Sequence, residues 1–72
     1  MIVFYIAVTG RYFTTDPERV PDSRNIEVGD YIRIPDGRIF FVKSLFPTKF
    51  VEVNEDDVPP GVNPLNAQYE DA

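Results

Sequence analysis

Apolar side chains alternate with a period of two over the first nine positions. Ile2, Phe4, Ile6 and Val8 fall on one face and Val3, Tyr5, Ala7 and Thr9 on the other. Both sets are rich in β-branched and aromatic residues, so the pattern predicts a strand with both faces at least partly buried. Thr9-Gly10 is a turn signal, after which Arg11 to Thr15 can return as a second strand. In Thr15-Asp16-Pro17-Glu18 either Thr or Asp can cap, Pro fits the first helical position, and Glu18 completes a Thr-x-x-Glu capping box. Pro21 follows so closely that at most one helical turn is expected there.

The middle of the chain is the most regular part. Glu27-Val28-Gly29-Asp30 reads as a turn with Gly where a positive φ is wanted. Tyr31 to Ile34 reads as a strand, Pro35-Asp36-Gly37 as a tight connection, and Arg38 to Phe46 as the returning strand. A three-residue hairpin sets the register: Ile34 opposite Arg38, Ile32 opposite Phe40, Tyr31 opposite Phe41. Pro47 ends that strand, and Lys49 to Asn54 forms a last one through Phe50, Val51 and Val53. From Glu55 onward Asp56, Asp57, Pro59, Pro60, Gly61 and Pro64 oppose regular structure. The expected organisation is therefore a small all-β domain over residues 1–54 and an acidic, proline-containing tail over 55–72. That tail is either disordered or an extended arm docked on a neighbouring subunit by Val58, Val62, Leu65 and Tyr69.

Composition narrows the chemistry. The 72 residues include no cysteine, histidine or tryptophan. Disulfides, ordinary zinc sites and Ser-His or Cys-His nucleophile pairs are thereby removed. Glu52, Glu55, Asp56 and Asp57 match no calcium loop, and nothing supplies a partner to raise a carboxylate's pKa. No catalytic residue, cofactor, metal or small-molecule substrate is expected. The run Met1 to Val8 is too short to span a membrane and lacks a cationic start, so an unsecreted protein without a membrane partner is expected. A chain this short, without disulfide or metal, needs either a very well packed β-core or burial against another chain.

The charge is unevenly placed. The formal net charge is −5, yet all seven cations lie within residues 1–51. Six of the twelve acids follow from Glu52 onward with no cation among them. The acidity belongs to one end, which weakens the argument it makes against anionic partners.

The stretch from Val28-Gly29-Asp30-Tyr31 through Ile34-Pro35-Asp36-Gly37 to Phe41-Val42-Lys43 resembles the hairpin of Src-homology-3-like small barrels. In that class a Gly-Asp pair opens a strand and Asp-Gly turns it into the next. The resemblance covers about a third of the chain and implies a small barrel or half-barrel of four to five strands. The class includes KOW-type nucleic-acid modules, peptide binders, and phage head-completion or decoration proteins, so the fold alone does not choose the job. The aromatic pattern of the peptide binders is missing, since there is no tryptophan.

The hairpin's two faces differ. Ile32, Ile34, Phe40 and Val42 suit a barrel interior, whereas Tyr31, Arg33, Ile39, Phe41 and Lys43 mix aromatics with cations. Such a mixture suits a protein interface and equally suits stacking on bases. A bland alternative places Tyr31 and Phe41 under the first strand or the tail. The expected function is a non-enzymatic structural or interaction subunit of a larger assembly, self-associating or bound to a protein partner. The resemblance implies a virion component as one setting, virion-associated if viral and cytoplasmic otherwise. The expected contact residues are Tyr31, Arg33, Phe41 and Lys43, with Val58, Val62, Leu65 and Tyr69 of the tail. The alternatives are a nucleic-acid-binding small barrel using the same hairpin face, or a small acidic inhibitor.

Overall fold

The computed structural model describes residues 3–6, 11–21 and 23–70. Among them the strands are β1 (Val3–Ile6), β2 (Arg11–Thr14), β3 (Tyr31–Arg33), β4 (Ile39–Leu45), β5 (Thr48–Val53), β6 (Leu65–Asn66) and β7 (Gln68–Glu70). One 3-10 turn spans Glu55–Asp57. The protein is all-β in class. The strands form a smaller sheet in the order β1-β2-β7 and a larger one in the order β5-β4-β3-β6. Among the described residues no closed barrel is made; the arrangement is two sheets.

The central hairpin has the expected register, with Tyr31 opposite Phe41, Ile32 opposite Phe40 and Arg33 opposite Ile39. Gly37 supplies the positive φ of its turn, at 99°, and its amide donates to the Ile34 carbonyl at 2.9 Å. Gly29 does the same for the preceding turn at φ 96°. Its amide is bonded to the Val42 carbonyl, which clips the turn to β4. The inward set of this hairpin forms the centre of the core. Ile32, Ile34, Phe40 and Val42 join Phe13, Ile26 and Ala67, and Leu45, Phe50 and Leu65 pack against them.

β1 and β2 pair antiparallel from Val3–Thr14 to Ile6–Arg11. The outer positions expected for the first strand and the Thr9-Gly10 turn lie outside the described residues. Of the two expected caps, Thr15 and Asp16, it is Asp16 that caps. The Asp16 carboxylate accepts the Glu18 amide at 3.1 Å, and its carbonyl accepts the amides of Arg19 and Val20. A carboxylate two residues before the amide makes the tighter ring, so Asp takes the role. Thr15 is fully buried, and its hydroxyl finds no partner among the described residues.

Residues 55–72 were expected as a tail, disordered or docked on a neighbour. As far as they are described, they return along their own chain. β6 lies parallel to β3, with Leu65 beside Ile32, and the Ala67 amide donates to the Arg33 carbonyl at 2.9 Å. One residue later β7 pairs antiparallel with β2, with Tyr69 opposite Phe13. Strand pairing thus crosses the boundary expected at residue 54. The cause is the open edges of β2 and β3, whose unpaired backbone groups are satisfied by the nearest extended segment. The radius of gyration, 11.2 Å, equals the roughly 11 Å expected of a compact chain of this length.

Candidate interaction surface

The outer face of the larger sheet carries the residues that the hairpin alternation turns away from the core. Tyr31 and Phe41 are half-buried cross-strand partners whose ring centroids lie 5.1 Å apart. Val51 continues the row on β5, opposite Phe41, and is 45% exposed. The three form an apolar row across three strands, ending at β5, whose outer edge is unpaired among the described residues. Cross-strand pairs of this kind stabilise a sheet by packing on one another, and here they also present area to solvent.

The row is bounded by charge. Arg33 is half-buried and reaches Glu55 at 3.7 Å. Lys43 is exposed at a β-bulge between Val42 and Ser44, which breaks the strict alternation that assigned it to this face. Ile39, assigned to the same face, is only 3% exposed. It borders a cavity of about 310 Å³ with Arg33, Glu55, Val58, Pro59, Pro60, Val62 and Pro64. The segment after the 3-10 turn therefore lies against one half of the outer face, and the Tyr31–Phe41–Val51 half stays open.

The four tail positions separate. Val58 and Val62 border that cavity, Val62 with 41% exposure. Leu65 is partly buried and packs against the core as part of β6. Tyr69 sits in the other sheet, its ring 5.1 Å from Phe13 and the Arg11 guanidinium 4.7 Å from its centroid. A second cavity, about 500 Å³, is lined by Pro35, Asn66, Ala67, Gln68 and Tyr69. The eight residues, expected on two surfaces, the hairpin face and the tail, thus regroup: Val58 and Val62 lie beside the hairpin face, Tyr69 lies in the other sheet, and Leu65 packs against the core.

Most cations are already engaged. Arg24 binds both oxygens of Asp30, and that bonding, with the carboxylate's charge, pushes the guanidinium pKa up. Arg38 holds Asp36 through its backbone amide and Nε, which keeps the Asp36 carboxyl below its ordinary range. Glu52 approaches Arg38 at 3.9 Å, and Arg19 pairs with Glu70. Lys43 and Lys49 make no ion pair among the described residues. Glu52 and Glu55 are thus drawn to different arginines. Among the described residues no group of three or more acids converges to hold a metal ion.

Sequence reasoning missed the most exposed apolar residue. The expected strand runs to Phe46, yet this residue lies past the end of β4 at the tip before β5, with 96% of its surface exposed, next to a cis Phe46-Pro47 bond. The available signal was the Phe-Pro pair between two alternating runs, which marks a turn more strongly than a strand. No helix among the described residues is long and apolar enough to cross a membrane. No family model, curated protein or solved structure matches this chain.

Proposed function

We propose that the protein is a non-enzymatic structural subunit that acts through protein contacts, self-association first among them. The observation that carries this reading is the Tyr31–Phe41–Val51 row, half-exposed and ending at an open strand edge. Aromatic and aliphatic area beside unpaired backbone donors and acceptors is what strand addition and interface packing use. The positive-φ turns at Gly29 and Gly37 sit where the resemblance to Src-homology-3-like small barrels puts turns. A virion component, such as a decoration or head-completion protein, is the setting proposed from that resemblance. Nucleic-acid binding by the same face is the weaker reading, because Arg33 and Arg38 are held by acids. Two free lysines give a salt slope of only about −2.

The test is the mass of the full chain by sedimentation equilibrium from micromolar to millimolar concentration. Association is expected, and Val51→Lys is expected to weaken it at least tenfold while leaving the circular dichroism unchanged. A chain that stays monomeric throughout that range overturns self-association as its role.

A further inference from the structure

Phe46 stands at the end of a braced tip. Across the turn, the Thr48 hydroxyl donates to the Leu45 carbonyl at 2.8 Å and the Ser44 hydroxyl donates to the Pro47 carbonyl at 2.7 Å. These bonds fix the backbone that presents the ring. Single exposed apolar residues are common on protein surfaces, but this one is nearly bare and is flanked by charge of one sign. Lys43 and Lys49 lie on either side of it, both exposed. Between Asp36 and Glu52 the chain carries Arg38, Lys43 and Lys49 and no acid.

The complementary feature lies at the other end of β4. The cavity of about 310 Å³ has Val58, Pro59, Pro60, Val62 and Pro64 in its wall beside the polar Arg33, Glu55 and Asn63. Proline and valine surfaces accept aromatic rings, as in the docking of proline-rich segments on aromatic grooves. Glu55 borders the cavity, and Asp56 and Asp57 continue the same exposed 3-10 turn. One guanidinium, Arg33, stands against these three carboxylates, so the cavity's surroundings are net negative. The second cavity lacks this match, because Arg11 sits over its Tyr69 wall. Ile39, in the wall of the first cavity, precedes Phe46 by seven residues of extended chain, about 23 Å at the usual rise. The ring cannot reach the cavity of its own chain.

We infer that the Phe46 tip of one copy docks in the Val58–Pro64 cavity of a second copy, with Lys43 and Lys49 facing Glu55, Asp56 and Asp57. This rests on the reading of the protein as a self-associating subunit, and it adds a contact distinct from the Tyr31–Phe41–Val51 row. The contact is head-to-tail, so repetition closes into a ring or grows into a filament. One ring and two ion pairs bury far less than the roughly 1,600 Å² of a standard interface. Each contact is therefore weak, concentration-dependent and salt-sensitive.

Sedimentation of the full-length chain and paired variants tests the contact. Phe46→Ala, at a position with almost no internal packing, is expected to keep its melting temperature and to associate at least tenfold more weakly. Two charge-reversed chains make the decisive comparison: Lys43→Glu with Lys49→Glu, and Glu55→Lys with Asp56→Lys. Neither is expected to assemble alone, since tip and cavity then carry the same sign within each. Their equimolar mixture is expected to assemble as the parent does, because every tip meets a cavity of opposite sign. If Phe46→Ala associates as the parent does, or the mixture stays monomeric, the contact is wrong. Loss on Val51→Lys would then leave the β5 edge as the interface and the assembly reading intact. A parent chain that is monomeric at millimolar concentration overturns both.

Discussion

A single carboxylate organises the turn before β3. The Asp30 carboxylate accepts the Glu27 amide at 2.7 Å and both bonds of the Arg24 guanidinium, with 15% of the side chain exposed. Asp30→Ala removes all three, and a loss of about 1–2 kcal/mol is expected from the urea midpoint. Asp30→Asn keeps an acceptor for the amide and is expected to lose less. Gly37 has open space where a Cβ would stand, so Gly37→Ala acts through its positive φ alone. The expected cost is about 1 kcal/mol, read as a fall of about 4–8 °C in melting temperature. Asp36 gives the pH dependence. Its folded pKa is depressed by the Arg38 Nε bond first and the Arg38 amide second. Its contribution is therefore complete above the ordinary carboxylate range and is lost as pH falls through the depressed folded value. Asp36→Asn is expected to flatten the acid limb of the stability curve, and a carboxyl titration by NMR checks the pKa directly.

At the scale of elements, the hairpin of β3 and β4 was legible because each local signal agreed with the others. Alternation, Pro35, Asp36 and Gly37 all specify the same register, and every side chain assigned inward has at most 3% exposure. Ile32, with no exposed surface on β3, an inner strand of the larger sheet, is the position whose truncation is expected to cost most. Ile32→Ala should lose about 2–5 kcal/mol in a denaturant titration, a large share of the total for so short a chain. The strands β6 and β7 were not legible. Prolines and acids dominate residues 55–64, and the pairing that follows is two or three residues long and depends on edges contributed by distant parts of the chain. The outer face was read in part: Tyr31 and Phe41 do pair, but period-two counting could not show Ile39 covered or Lys43 displaced by a bulge. Nor could it place Phe46 at a tip, because a phenylalanine after an apolar run reads as more strand.

For the whole molecule, the two sheets share one connection that matters. Ala67 is buried at 5% exposure between β6 and β7, so the chain leaves one sheet and enters the other within a single residue. Phe13 of the smaller sheet belongs to the same cluster as Ile32 and Phe40 of the larger. The sheets are therefore expected to unfold together, with amide signals of β2 and β4 lost at one urea concentration. Ending the chain after Pro64 removes both short strands and takes Ala67 from the core. Loss of cooperative unfolding is expected, seen as a broad thermal transition by circular dichroism.

That crossing at Ala67 bears on how the protein is made. A ribosome delivers the chain from its amino end, and β2 and β3 leave the exit tunnel long before the strands that cover their edges. Until residue 70 has emerged, the nascent chain holds two strand edges open and Phe13 without its Tyr69 partner. Folding is thus deferred until residue 70 is clear of the tunnel rather than spread along the emergence of residues 1–70. During that interval on the polysome, adjacent nascent chains expose the same uncovered edges to one another.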